Sequence, residues 1–413
     1  MQSDYKAVVV GAGPIGAALA LSLAKTLAGT LAKTERSEPY RILLIDASEK
    51  VPRYDFETPD SKIFALNAGS QSLLDELGAW SAISKARCNP YQRMHVWDAM
   101  GTGSIEFDAA EVDKPQLGYI VEANLVQTAL LDEIEASEYI DVLRPDKVIE
   151  ARQENGGMLL QLSSGQTLTT ELLCAADGAK SELRTLLNID TREEQIGQRA
   201  IVANVSHTLP HDDCAWQIFH PTGPLAFLPM ENYGNKPLSS IVWSLDNDQA
   251  DALMALSDEE FERSLTRAIE GKFGDVSLVT ARISFPLAQR HALKYSEPGF
   301  VLVGDAAHSI HPLAGLGANI GFQDVWALSI EIARATERQV SWGDEKVLRR
   351  YQRARQLENE ATLQAMKGFK TLFGTSQSAI GSLRNIGLKL ADKSAVIKRQ
   401  FIKRAMMLDD RVG

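Results

Sequence analysis

Three short stretches place glycines and carboxylates where a bound, phosphate-bearing molecule could be held. Gly11-Ala-Gly13-Pro-Ile-Gly16 follows directly on the apolar run at residues 7–10. In a Gly-x-Gly-x-x-Gly loop the first glycine allows the tight turn, the second lets the backbone approach a pyrophosphate, and the third lets helix and strand pack closely. Asp46 ends the next apolar run, residues 41–45, where a carboxylate can accept from ribose hydroxyls. The second stretch is Asp177-Gly178, after residues 172–176, with Ser181 and Arg184 just beyond. The third is Gly304-Asp305, leading through Pro312, Gly315, Gly317 and Asn319 to Asp324. Lys62 could neutralise a phosphate or be an ordinary solvated lysine. No Ser-His-Asp order, paired carboxylates or metal-ligand spacing stands out, and His308 and His311 on one loop read as structural. A chain that binds a nucleotide but offers no nucleophile points to a bound cofactor as the reactive group.

The elements that must position these residues follow from hydrophobic period. Residues 7–10 form a buried strand and residues 17–28 a helix, in the order a dinucleotide site needs. The gap between Gly16 and Asp46 exceeds the roughly 20 residues expected, and the polar surplus at 29–40 reads as a surface loop. Short strands at 148–151, 159–162 and 167–173 lead into Asp177. Residues 201–285 are again short strands, interrupted by one amphipathic helix at 258–270. Helices at 324–336 and 345–372 follow. The fold class is thus α/β: a three-layer Rossmann-type nucleotide-binding domain in three parts (1–87, 111–190, 286–370), interleaved with a mainly antiparallel β-sheet substrate domain (88–110, 191–285). A basic helical tail (371–413) completes it.

At 413 residues, 45% hydrophobic and 23% charged, the composition is that of an ordinary globular enzyme. A net charge of −11 argues against nucleic acid as a partner. Cys88, Cys174 and Cys214 form no Cys-x-x-Cys pair, and the N-terminal apolar run is short and interrupted. A reducing, cytoplasmic setting is expected. Residues 367–404 hold nine Lys and Arg against the single acid Asp392. This amphipathic tail either rests on anionic lipid or partner enzymes, or is a solvated face packed on the nucleotide-binding domain.

Taken together, the three motifs resemble the three fingerprints of the flavin-dependent aromatic hydroxylases, and the stretch from Gly304 to Asp324 resembles the ubiquinone-biosynthesis hydroxylase signature. The likeness continues through residues 117–122, 223–229, 285–287 and 383–388. It implies FAD as cofactor and NADPH or NADH as co-substrate. Gly11, Gly13, Gly16 and Asp46 would hold the ADP half. Lys62, Glu122, Asp305 and Gly315 would serve the rest of the cofactor, and Asp177, with Gly178 and Arg184, belongs to a motif that would serve both FAD and the transient NAD(P)H. Pro312, Gly317 and Asn319 would form the catalytic edge of the flavin ring, with the last two offering backbone N–H groups. The resemblance departs at Lys62, where the family usually has Arg, and at Leu316, where it usually has Gln. The implied reaction is reduction of FAD by NAD(P)H, addition of O2, and transfer of one oxygen from the C4a-hydroperoxide to a polyprenylated phenol. Ring position 5 is favoured and position 6 is next. A flavin reductase, or a non-catalytic flavoprotein subunit of a ubiquinone-biosynthesis complex, is the alternative. The tail would then make peripheral contact with the inner membrane or with partner enzymes.

Overall fold

The computed structural model describes residues 4–31, 41–309, 316–373 and 394–406. Its first sheet is parallel at the centre, in the order Phe300–Leu302, Thr167–Ala175, Tyr5–Val10, Ile42–Ile45, Ile140–Leu143. Strands covered on both faces must be apolar throughout. Ala7, Val8, Val9, residues 42–45 and residues 172–175 are accordingly all buried. The meander Val148–Glu154 and Gly157–Leu162 extends this sheet antiparallel from Thr167–Ala175. The helix Pro14–Leu31 packs between the helices Leu316–Glu337 and Ala123–Glu135.

A second sheet of nine strands is antiparallel except where Arg93–Asp98 runs parallel to Cys214–His220. Side chains alternate across it. Ile201, Ala203, Phe227, Ile241 and Trp243 face a core completed by the helices Asn247–Met254 and Asp258–Ala268. Register puts Val202, Val242 and Ala226 on the opposite face. There Ala226, Leu228 and Val242 pack with Ala65 and Ile120 of a small sheet made of Ile63–Asn67, Gly118–Glu122 and Cys88–Tyr91. The large sheet's inner face is thereby turned toward the Rossmann-type unit.

The fold class agrees with the expectation, but several element bounds differ. The first helix continues to Leu31 and takes in Gly29, while residues 32–40 of the expected loop lie outside the described residues. A second helix, Asn247–Met254, precedes the expected one. Its sequence is polar and only Ala250 is buried, so it carries little periodic signal. The strand Ile283–Ala292 runs on past residue 285 and pairs with His308–Ser309. The last Rossmann helix begins at Leu316, not 324. Its glycines read as loop, yet Gly321 is where this helix meets Ile15: a Cβ there would lie 2.8 Å from Ile15 Cδ1. Tertiary packing overrides propensity at that point. Of the tail, the helix Ala395–Ala405 is described.

Candidate FAD site

Val10 lies opposite Ala175, so the Gly-rich loop and the Asp177-Gly178 corner meet at the carboxyl edge of the first sheet. The three glycines of the loop do different work. Gly11 has φ +104°, and a Cβ on it would sit 2.4 Å from the Ala176 carbonyl oxygen. A Cβ on Gly16 would sit 1.8 Å from the Gly11 carbonyl oxygen. Gly13 has no atom within 4 Å of that position and opens on a cleft of about 480 Å³ lined also by Asp46, Ser48, Asp177 and Lys180. Asp46 accepts from Ala12 N (2.6 Å) and Ser48 N (2.8 Å), which fixes its carboxylate at the cleft wall. Gln127 Nε2 donates to Ala12 O (2.7 Å), holding the loop from the far side.

Asp177 Oδ2 accepts from Leu183 N (3.2 Å), whereas its Oδ1 is buried without a partner. A buried carboxylate oxygen is expensive to leave unpaired. The orphaned Oδ1 and the open side of Gly13 are what the ribose and pyrophosphate of FAD would fill. Arg184, capped at its own N–H by Ser181 Oγ (3.0 Å), donates to Ala306 O (2.8 Å) and Ala179 O (3.0 Å). It therefore ties the Asp177 corner to the Asp305 loop.

The strand Phe300–Leu302 lies parallel to Thr167–Ala175 and delivers the tight turn Gly304–Ala306 to the same edge. Asp305 has a solvent-accessible side chain, yet it stands in a recess dense enough that desolvation raises its carboxyl above the ordinary value. His308 and Lys62 pull it down, and Asp324 adds to the rise. Below it, Asp324 is fully buried and accepts from Gly304 N (2.9 Å), His308 Nε2 (2.5 Å) and Arg355 Nε (2.7 Å). Burial alone would raise its carboxyl, but His308 and Arg355 outweigh that and hold it at about 2. His308 is a structural partner of this carboxylate, as expected. His311 lies outside the described residues, as do Pro312 and Gly315.

The helix Leu316–Glu337 starts beside this turn, so its first-turn amides lack intrahelical acceptors and carry the positive end of the helix dipole. A Cβ on Gly317 would meet nothing within 4 Å, which leaves its backbone approachable. Asn319 is buried with its side chain committed inward: Oδ1 accepts from Asn67 N (3.0 Å) and Ser70 Oγ (2.8 Å), and Nδ2 donates to Ala65 O (2.7 Å).

Lys62 is exposed and close enough to Asp305 to lower that carboxyl. Glu122 is fully buried with both oxygens taken by protein donors, Arg87 Nε (2.6 Å) and Asp60 N (2.8 Å). It acts on the site by fixing the chain around Asp60 and Lys62. Neither Gln127, Arg87 nor Asn67 has a motif of its own, and the partners that tie them to the site, Ala12, Glu122 and Asn319, lie 115, 35 and 252 positions away, so no local pattern marks them.

Comparison with known proteins agrees with this geometry. A family model described as FAD binding domain matches residues 4–366. The 3-demethoxyubiquinol 3-hydroxylase of Escherichia coli (strain K12) is 34% identical over 401 residues, covering 97% of this chain and 98% of the relative. The mitochondrial ubiquinone biosynthesis monooxygenase COQ6 of Homo sapiens is 31% identical, covering 96% and 92%. Among solved structures, p-nitrophenol 4-monooxygenase PnpA from Pseudomonas putida DLL-E4 superposes with a TM-score of 0.78 at 20% identity, covering 100% of both chains. That last likeness speaks to fold alone. The sequence relatives and the family match carry further, and by them this chain belongs to the FAD-dependent hydroxylases of ubiquinone biosynthesis, a family of flavin monooxygenases.

Proposed function

We propose that the chain hydroxylates the aromatic ring of a polyprenylated phenol or quinol, using O2 and NADPH or NADH. The single observation that carries this reading is the turn Gly304–Ala306 and the start of the helix Leu316–Glu337 at the carboxyl edge of the Rossmann-type sheet, next to the strand Ile63–Asn67 of the small sheet on which the large sheet packs its apolar face. FAD, when bound, supplies the oxygen-transfer chemistry set out above; the protein's part is to hold and shield it. Gly13 leaves room for the pyrophosphate, Asp46 and Asp177 accept from sugar hydroxyls, and Asp305 accepts from the ribityl chain. The amides of Gly317 and Asn319 donate to the pyrimidine edge and stabilise the negative charge that builds there on reduction. Pro312 and Gly315, of the same Gly304 to Asp324 motif, complete the proposed catalytic set. Apolar walls exclude water from the reacting centre.

Ring position 5 is the favoured site, with position 6 next. The E. coli relative's name, a 3-hydroxylase of demethoxyubiquinol, supports a demethoxyquinol as a further candidate ring. The C-terminal helix supports peripheral contact with the inner membrane. Ile402 and Met406 are buried, while Phe401 is 55% exposed and flanked by exposed Arg399, Lys403 and Arg404. Such a face suits an anionic lipid surface, where a polyprenyl substrate resides, or an acidic partner enzyme of the same pathway. Among the described residues no helix is long and apolar enough to cross a membrane.

Deleting the gene and profiling quinone intermediates by mass spectrometry tests the reading. A polyprenyl phenol lacking one ring hydroxyl is expected to accumulate, and its structure names the position. Unchanged quinone content with no new intermediate would overturn the proposal.

A further inference from the structure

Asn67 joins three elements through one side chain and its own backbone. It is 5% exposed, at the junction of the strand Ile63–Asn67 and the helix Ala68–Glu76. Its Oδ1 accepts from Ser70 N (2.9 Å) and so caps that helix. Its Nδ2 donates to Ala405 O (2.9 Å) in the last turn of the C-terminal helix. Its backbone N–H donates to Asn319 Oδ1 (3.0 Å), and Ser70 Oγ donates to the same atom (2.8 Å).

The last carbonyls of a helix have no intrahelical donor, so Ala405 O takes its partner from outside. That partner also holds the residue whose backbone forms the edge of the flavin platform. The C-terminal helix is seated separately, by Ile402 and Met406 against Ala109, Val112 and Leu117, and by Lys398 Nζ on Glu111 Oε1 (2.7 Å). Those seats are centred on the 109–117 segment, with Ala68 beside Asn67 packed against the same cluster, whereas the hydrogen bond from Asn67 leads to the platform. Asn67 holds Ala405 through its side-chain Nδ2 and Asn319 through its backbone N–H, so one residue carries both links.

We propose that Asn67 is a positioning residue that couples the seating of the C-terminal helix to the flavin platform at Asn319. Displacing the helix withdraws the acceptor of Asn67 Nδ2, and the strain passes through Asn67 to the first turn of the helix Leu316–Glu337. The site thereby senses whether its C-terminal helix is in place. The proposal rests on FAD occupying this platform, but one arm of its test does not.

The test is a double-mutant cycle in the full-length protein. Ile402→Ala loosens the seat of the C-terminal helix at a distance from the platform. Asn67→Asp keeps the oxygen that caps Ser70 and replaces the donor to Ala405 by a carboxylate oxygen that cannot bond it. Amide hydrogen exchange across residues 317–321 is read in FAD-free protein, and the FAD dissociation constant by flavin fluorescence. With Asn67 present, Ile402→Ala should speed exchange there and weaken FAD about 3- to 10-fold, the size of coupling typical of connected residues. In the Asn67→Asp background the same substitution should add nothing. Lys398→Met, which breaks the ion pair with Glu111, gives a second seat variant should Ile402→Ala fold poorly. Equal effects in both backgrounds, or no effect of either seat variant on residues 317–321, would overturn the coupling. Loss of FAD binding in the parent protein would instead strike the functional reading, leaving the exchange arm to decide this one.

Discussion

The two inner glycines of the N-terminal loop should respond oppositely to the same added methyl group. In Gly16→Ala the new Cβ falls 1.8 Å from the Gly11 carbonyl oxygen and 3.2 Å from Ala176 Cβ. Both neighbours belong to the packed sheet edge, so the helix Pro14–Leu31 must shift away from the strand Tyr5–Val10. Overpacking of this kind costs roughly 1–3 kcal/mol, more where backbone has to move. In Gly13→Ala the Cβ meets nothing within 4 Å and the residue has no positive φ, so the FAD-free protein should keep its stability to about 0.5 kcal/mol. The space that methyl enters is the cleft where the pyrophosphate would lie. FAD affinity is expected to fall about 10- to 100-fold, equivalent to roughly 1.4 to 2.7 kcal/mol. Thermal unfolding of FAD-free protein and fluorescence titration with FAD separate the two effects. If Gly13→Ala destabilised the FAD-free fold as Gly16→Ala does, or bound FAD as tightly as the parent, the assignment of this cleft would be wrong.

Asp324→Asn should destabilise the fold by up to about 3–5 kcal/mol in denaturant titrations, because it takes from the buried Arg355 its buried charge partner and leaves it with the half-exposed Glu358. In the parent, the Asp324 carboxyl titrates near 2 when folded, below the ordinary value of 3.8. Its contribution of roughly 2 kcal/mol is therefore complete above pH 4 and lost as pH falls toward 2, a loss that Asn at this position should remove from the pH profile. Arg184→Lys, which cannot hold two carbonyls at once, should loosen the Asp305 loop and weaken FAD by roughly 1–3 kcal/mol in the same fluorescence titration. Burial pushes the thiols of Cys88 and Cys214 up to about 12 and raises that of Cys174 further, so a thiol reagent at neutral pH should label all three only after unfolding; rapid labelling of the native protein would contradict their placement.

What could be read from the sequence was whatever local geometry demands. Gly11, Gly13 and Gly16 must be glycine for reasons settled within a few residues, and strands such as 7–10 and 172–175 announce burial on both faces by being wholly apolar. The strands expected at 201–205, 215–219, 225–228 and 239–245 each lie inside an observed strand of the second sheet, but the first and third of these, Thr191–His207 and Gly223–Tyr233, run well beyond them. Features that depend on distant partners left no local trace. Gly321 inside the helix Leu316–Glu337 is required by its approach to Ile15, and the Asn319 side chain is held by Asn67 and Ala65, some 250 positions away. Glu122 was expected to serve the cofactor on the family resemblance alone. Its carboxylate is saturated by Arg87 and Asp60, a pairing no spacing rule could have suggested.

The central claim, that this chain inserts an oxygen atom from O2 into a polyprenylated phenolic ring, is tested most directly with isotope-labelled gas. Purified FAD-loaded protein is supplied with a demethoxyquinol or a polyprenyl phenol, NADPH or NADH, and 18O2, and the product is analysed by mass spectrometry. One 18O atom in a new ring hydroxyl, dependent on the substrate's open position, is the expected result. Reductant oxidised with no labelled product, or a hydroxyl carrying oxygen from water, would contradict it.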